Sequence, residues 1–181
     1  MHLWNKRGNH FMKGKDNIVL IGMPGAGKST VGVVLAKRLG YHFIDSDLVI
    51  QKTSGKLLHE LISEQGVEGF WQIENDVNAG LDVHRTVIAT GGSAIYGKEA
   101  MEHLSRIATV IYLKLSYEEI ANRLGDLNAR GVTLKEGQTL ADLYAERTPL
   151  YEKYANMMLE CDNKYLRDVV TEIAERLKEQ K

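Results

Sequence analysis

A single cysteine, Cys161, stands in this chain of 181 residues. An internal disulfide and a cysteine-built metal cluster are therefore excluded, and a reducing cytoplasm is the expected setting. The thiol falls in a segment that reads as a late strand, where a buried and inert role is expected. No apolar run approaches the ~20 residues needed to span a bilayer, so no membrane partner is expected. Charge of one sign is also missing: 23 Lys and Arg oppose 24 Asp and Glu, for a net charge of −1. Without a long basic run, general nucleic-acid binding has little electrostatic support. Internal repeats and low-complexity segments are absent as well. Residues Met1 to Lys15 are polar and basic without the apolar centre of a signal peptide. They read as a disordered arm, as the product of an early start codon with Met12 the alternative, or as a cloning remnant, and no function attaches to them. What remains, with 44% hydrophobic and 26% charged residues, is the composition of one soluble globular domain over residues 16–181.

The chain is organised around Gly22-Met23-Pro24-Gly25-Ala26-Gly27-Lys28-Ser29. This is G-x-x-x-x-G-K-[ST], the phosphate-binding loop of nucleoside-triphosphate enzymes. Asn17 to Ile21 before it is a short apolar run that reads as a buried parallel strand. After it, Val31, Val34, Leu35 and Arg38 recur at helical spacing, and Gly40 supplies the stop. The glycines allow a tight turn with backbone N–H groups aimed at phosphate oxygens, and the helix adds its positive N-terminal end. Gly25, Ala26, Gly27 and Thr30 belong to this cradle, Lys28 can reach the β- and γ-phosphates, and Ser29 can ligate Mg²⁺. ATP and Mg²⁺ are the cofactors this implies.

Further strands are expected at Tyr41 to Ile44, Thr86 to Thr90, Ile107 to Leu115 and Met157 to Cys161. Helices are expected at Leu48 to Thr53, Lys56 to Gln65, Glu68 to Leu81, Lys98 to Ser105, Tyr117 to Leu124, from Thr139 onward, and Leu166 to Lys178. Five strands alternating with helices imply an α/β fold: a five-stranded parallel sheet between two helical layers, α/β/α. Asp45-Ser46-Asp47 ends the second strand where open α/β sheets bind ligands. One carboxylate there can hold Mg²⁺ through water and the other can accept a substrate hydroxyl; either could instead cap the next helix. Phe70, Ile73, Val77 and Leu81 form an apolar stripe with Glu74 nearby. Trp71 lies off it, where it either faces a pocket or packs against the preceding helix. Gly91-Gly92-Ser93 permits close approach of a ligand to the backbone. Ser116 is placed to cap the helix from Tyr117. Pro149 suggests a kink or a new helical start. Residues 125–138 carry three glycines and no apolar period, which is the pattern of a mobile lid. Arg123 and Arg130 flank and occupy it, and an arginine brought over a triphosphate by closure excludes water and supplies charge.

A GTPase switch would want D-x-x-G and N-K-x-D, and neither occurs in the chain. A small-molecule kinase fits better. The chain resembles the shikimate kinases, within the nucleoside-monophosphate-kinase-like group, from about Asn17 to its end. The resemblance is carried by Gly22 to Thr30, Asp45-Ser46-Asp47, Phe70 with Ile73-Glu74, Thr90-Gly91-Gly92, Arg123 with Arg130, and Arg147-Thr148-Pro149-Leu150-Tyr151. It implies that Lys28 and Ser29 handle phosphates and Mg²⁺ and that Asp45 assists the metal through water. It further implies that Asp47 orients or deprotonates the attacking hydroxyl, that Gly91 and Gly92 line the acceptor pocket, and that Arg147 pairs with the acceptor carboxylate. Arg130 would close over the γ-phosphate, with Arg123 and Lys164 near the adenine. The implied state is a cytoplasmic monomer acting on a small molecule.

Three positions depart from the family pattern. Trp71 stands where an arginine that clamps the acceptor carboxylate is usual, and tryptophan makes no bidentate charged pair. The lid reads Arg130-Gly131-Val132-Thr133 in place of Arg-Pro-Leu-Leu. Ser93 adds a hydroxyl where a third glycine is usual. Two acceptor readings follow: shikimate, held through Arg147, or another small hydroxylated metabolite such as homoserine or a polyol acid, with Trp71 reshaping the pocket. A catalytically inert nucleotide sensor is a third reading, opposed by the presence of Lys28, Asp47 and Arg130.

Overall fold

The computed structural model describes residues 15–124, 134–135 and 137–179. Most of the expected lid, with Arg130, lies outside them. The chain begins its sheet with β1 (Asn17–Ile21), where Ile18, Val19, Leu20 and Ile21 have no exposed surface. An uninterrupted apolar run suits a strand covered on both faces. The phosphate loop then leads into α1 (Lys28–Leu39), which ends on Gly40 in a left-handed conformation. Next come β2 (His42–Asp45), α2 (Ser46–Ser54) and α3 (Leu58–Ala79). They are followed by β3 (Thr86–Ala89), a short 3-10 turn (Ala94–Tyr96), α4 (Lys98–Ile107) and β4 (Ala108–Lys114). The chain closes with α5 (Tyr117–Leu124), α6 (Leu140–Tyr154), β5 (Met157–Glu160) and α7 (Leu166–Glu179).

All five strands are parallel, in the order β2-β3-β1-β4-β5. The central strand β1 sets Val19 opposite Ile88 of β3 and Val110 of β4. Right-handed crossovers put α1 on one face, because β1 to β2 runs one way along the sheet. They put α3, α4 and α6 on the other face, because the later steps run back. Helix α7 packs against α1, and α3 against α4. The three-layer α/β/α arrangement follows, with the carboxyl ends of β1, β2 and β3 delivering the phosphate loop, Asp45 and Thr90 to one edge.

Two elements differ from the sequence expectation. The two helices expected at 56–65 and 68–81 run end to end as α3, broken at Gly66 by a φ of 70° and ψ of 177°. Helix α6 passes through Pro149 without ending; Leu143 and Tyr151, both fully buried, anchor its two halves on the core. The apolar stripe of α3 serves a small cluster formed by Ile50, Leu61 and Phe70, while the residues that α3 buries beside it include Glu74, Asn75 and Asn78.

Candidate active site

Gly25 and Gly27 turn the phosphate loop with φ of 81° and 85°, angles that L side chains resist. Gly27 precedes α1 without a side-chain cap, and the first turn of α1 holds no acidic residue. The N–H groups there face no competing carboxylate, as anion binding requires. Lys28 is buried, and its Nζ donates to the carbonyls of Gly22 at 2.8 Å and Met23 at 2.9 Å. Burial lowers its pKa to about 8, against the opposing pull of Asp47.

Ser29 Oγ donates to Asp45 Oδ2 at 2.6 Å, and the backbone N–H of Asp47 donates to Asp45 Oδ1 at 3.0 Å. Asp45 thus caps α2 while its second oxygen meets the Ser29 hydroxyl. A hydroxyl and a carboxylate side by side at the loop form a hard-oxygen pair of the kind Mg²⁺ takes, directly or through water. Burial raises the pKa of Asp47, with Asp45 adding to the effect and Lys28 opposing it.

Two cavities meet at the loop. One of about 450 Å³ is lined by Lys28, Ser29, Asp47, Thr90, Gly91 and Gly92, among others. The second, of about 290 Å³, is lined by Ala26, Gly27, Thr30, Arg123, Cys161 and Lys164, with apolar walls from Val31 and Val169. Gly27 and Thr30 line both. Phosphates laid on the loop would therefore have an acceptor-sized space on one side and an apolar slot suited to a base on the other. In that slot Arg123 pairs with Glu119 at 2.6 Å and Lys164 with Glu172 at 2.6 Å. Cys161 is buried, its Sγ donates to the Leu159 carbonyl at 3.3 Å, and burial pushes its pKa up to about 11. Such a thiol is unreactive.

Gly92 lies against Pro24 and Arg147: a side-chain carbon there would stand 2.8 Å from Pro24 Cδ and 3.0 Å from Arg147 Nη1. Arg147 is 1% exposed and reaches the site from α6, with its Nε donating to Tyr96 Oη at 3.3 Å. Tyr151 Oη donates to the Gly92 carbonyl at 2.7 Å and fixes the glycine strip from below. Trp71 is not among the residues lining either cavity. Its ring packs on that of Tyr96 at a tilt of 31° with centroids 4.2 Å apart, under the Lys135 ammonium at 5.4 Å. It also packs against the Ile50, Leu61 and Phe70 cluster. Of the sequence-derived site residues, Lys28, Ser29, Asp45, Asp47, Gly91, Gly92 and Arg147 come together; Trp71 stands apart, and Arg130 falls outside the described residues.

Four side chains around the site went unassigned in the sequence reading: Glu74, Ser93, Tyr96 and Tyr151. Glu74 is buried, and Ser93 Oγ donates to its Oε2. Burial pushes its pKa up to about 7, with Ser93 and Arg147 pulling down and Asp47 pushing up. Glu74 and Tyr151 stand in motifs that carry the family resemblance and Ser93 is one of the departures from it, though none was given a role; Tyr96 had no signal.

A phosphate loop on a parallel sheet, a buried lysine and an acidic pair beside an acceptor-sized cavity define a P-loop small-molecule kinase. Comparison with known proteins narrows the class. The shikimate kinase family model matches residues 24–178. The shikimate kinase of Symbiobacterium thermophilum is 36% identical over 168 residues, covering 90% of this chain and 97% of the relative. That of Francisella tularensis subsp. novicida is 37% identical, covering 91% and 96%. Among solved structures, the shikimate kinase from Acinetobacter baumannii in complex with shikimate superposes with a TM-score of 0.85 at 34% identity, covering 92% of this chain and 95% of that one. The chain belongs to the shikimate kinase family, and it is an ATP-dependent small-molecule kinase.

Proposed function

We propose that this kinase transfers the γ-phosphoryl group of ATP to a hydroxyl of shikimate, giving shikimate 3-phosphate, as a cytoplasmic monomer in aromatic amino-acid biosynthesis. The observation that carries the reading is the cavity lined by Asp47 and the Gly91-Gly92 strip beside the phosphate loop, with the Arg147 guanidinium against Gly92. An acceptor with a carboxylate at one end and hydroxyls at the other fits that polarity: Arg147 takes the carboxylate and Asp47 the hydroxyl.

In the transfer, the hydroxyl oxygen bonds to the γ-phosphorus, the bond to the β–γ bridging oxygen breaks, and the proton passes to Asp47. A raised pKa suits Asp47 to receive that proton. Lys28 exchanges its two loop carbonyls for phosphate oxygens, and the N–H groups at the start of α1 hold the rest. Arg123 and Lys164 flank the base, and Arg130 supplies charge from the lid. Ser29 and Asp45 would hold Mg²⁺, which neutralises phosphate charge when bound. Positioning and charge neutralisation supply most of the acceleration in such reactions. Trp71 supports the pocket through Tyr96, which also touches Arg147, so carboxylate binding falls to Arg147.

The test is ATP consumption with Mg²⁺ and saturating shikimate against a control without acceptor. Shikimate-dependent turnover on the order of 1–10³ s⁻¹ is expected. Background hydrolysis alone would remove shikimate and call for a screen of hydroxy amino acids and polyol acids. Asp47→Asn is expected to lower kcat by roughly 10²–10⁴ while leaving ATP binding near normal. Equal loss in both would remove the acceptor-side role of Asp47.

A further inference from the structure

Glu74 has no part in the chemistry described so far, yet its side chain is buried at the site's floor. Ser93 Oγ holds Oε2, whereas Oε1 is buried with no hydrogen-bond partner among the described residues. An orphaned buried carboxyl oxygen is costly, and its persistence asks for an explanation. A side-chain carbon at position 91 would collide with Oε1 and stand 2.9 Å from Asp47 Oδ1. Both carboxyl groups therefore press on the same cavity-lining glycine. The charged groups that face Glu74 are Lys28 from α1, Asp47 from α2 and Arg147 from α6; the loop after β3 contributes the Ser93 hydroxyl.

We propose that Glu74 is a further determinant of acceptor binding, taking up one proton at Oε1 when an anionic acceptor docks on Arg147 and releasing it when the acceptor leaves. The inference rests on Arg147 being the carboxylate-binding residue. Before binding, two cations, Lys28 and Arg147, offset the two carboxyl groups. An acceptor carboxylate adds a negative charge at Arg147, and nucleotide phosphates engage Lys28. Both changes remove positive potential from Glu74 and favour its neutral form. Because burial already places the group near neutrality, the added charge carries it across. The proton comes from solvent, and the only bond formed is the O–H. A neutral polyol would draw no proton, so the device favours carboxylate acceptors more at low pH than at high pH.

The sign follows from linkage. Acceptor binding raises the pKa of Glu74, so affinity is fully present below the acceptor-free pKa and declines as pH rises through it, by up to about tenfold per pH unit. The experiment is calorimetric titration of the full chain with shikimate at pH 8, in two buffers of different ionisation heat. Wild type is expected to take up close to one proton per acceptor. Glu74→Gln, which keeps the Ser93 contact, is expected to bind shikimate with no uptake. Its acceptor KM should be flat from pH 6 to 9, where the wild-type KM climbs. Uptake that persists in Glu74→Gln, or turnover without uptake in wild type, overturns the proposal and leaves the shikimate reading intact. Absence of both shikimate binding and shikimate-dependent turnover overturns the two together. Should Glu74→Gln fail to fold, Ser93→Ala decides: losing a bond that lowers the Glu74 pKa must move the midpoint of the KM profile to higher pH, and an unmoved midpoint overturns the proposal.

Discussion

Lys28 and Glu74 illustrate how burial sets charge at this site. Lys28 would be a strong cation in water, but desolvation brings it down to about 8, and the carbonyls of Gly22 and Met23 hold it in place. Glu74 moves the opposite way, to about 7 from an ordinary 4.5. In the pH interval between those two values the folded state binds more protons than the unfolded chain. Its contribution to stability is therefore fully present below about 4.5 and is lost as pH rises through about 7. Glu74→Gln removes that loss. Urea unfolding is expected to show the variant gaining on wild type by on the order of 2 kcal/mol at pH 8 relative to pH 5. An unchanged difference at the two pH values would mean that Glu74 ionises normally inside the fold. Neither value was legible in the sequence, because each depends on which groups from α1, α2 and α6 converge.

At the scale of elements, legibility divided along the line between periodic and long-range interactions. The strand at β1, the stop at Gly40 and the Ser116 cap, whose Oγ accepts from the Glu119 N–H at 3.3 Å, are local patterns and were readable. The polar buried residues of α3 were not, since a stripe of Phe70, Ile73 and Val77 accounts for the helix without them. Helix α6 likewise overrode the local signal of Pro149, because burial of Leu143 and Tyr151 on either side outweighs one missing backbone donor. Asn17 is the clearest long-range case. Its Nδ2 donates to the carbonyls of Val83 at 2.8 Å and Ile107 at 3.1 Å, and its Oδ1 accepts from the Thr86 N–H at 3.0 Å. One side chain thus ties β1 to the segments entering β3 and β4, and nothing in Asn17-Ile18-Val19 announces it. Asn17→Ala strands three polar groups near the sheet's amino edge, each costing about 1 kcal/mol or more. The variant is expected to lose about 3 kcal/mol in denaturant unfolding while keeping its kcat below its melting temperature. A loss under about 0.5 kcal/mol would show that water replaces the amide.

For the whole molecule, the phosphate loop lies between two cavities whose walls come from distant parts of the chain. Arg123 belongs to α5, Lys164 follows β5 and Val169 lies in α7, while Thr30 and Val31 start α1. A nucleotide seated on the loop would touch elements from early and late in the sequence together. Ligands that bind only the folded state stabilise it by mass action, by about 2.7 kcal/mol at a hundred times Kd. For a chain of this length, each kcal/mol raises Tm by roughly 2–4 °C. Saturating ATP with Mg²⁺ is therefore expected to raise Tm by roughly 5–11 °C, with the midpoint rising logarithmically in nucleotide concentration. Lys28→Ala should flatten that response and abolish transfer, because the ammonium is the one buried cation on the loop itself. Shikimate added alone should give a separate, smaller rise that survives Lys28→Ala, since Arg147 and Asp47 remain. A nucleotide response equal in wild type and Lys28→Ala would place the triphosphate elsewhere, and the assignment of the two cavities to base and acceptor would fall with it.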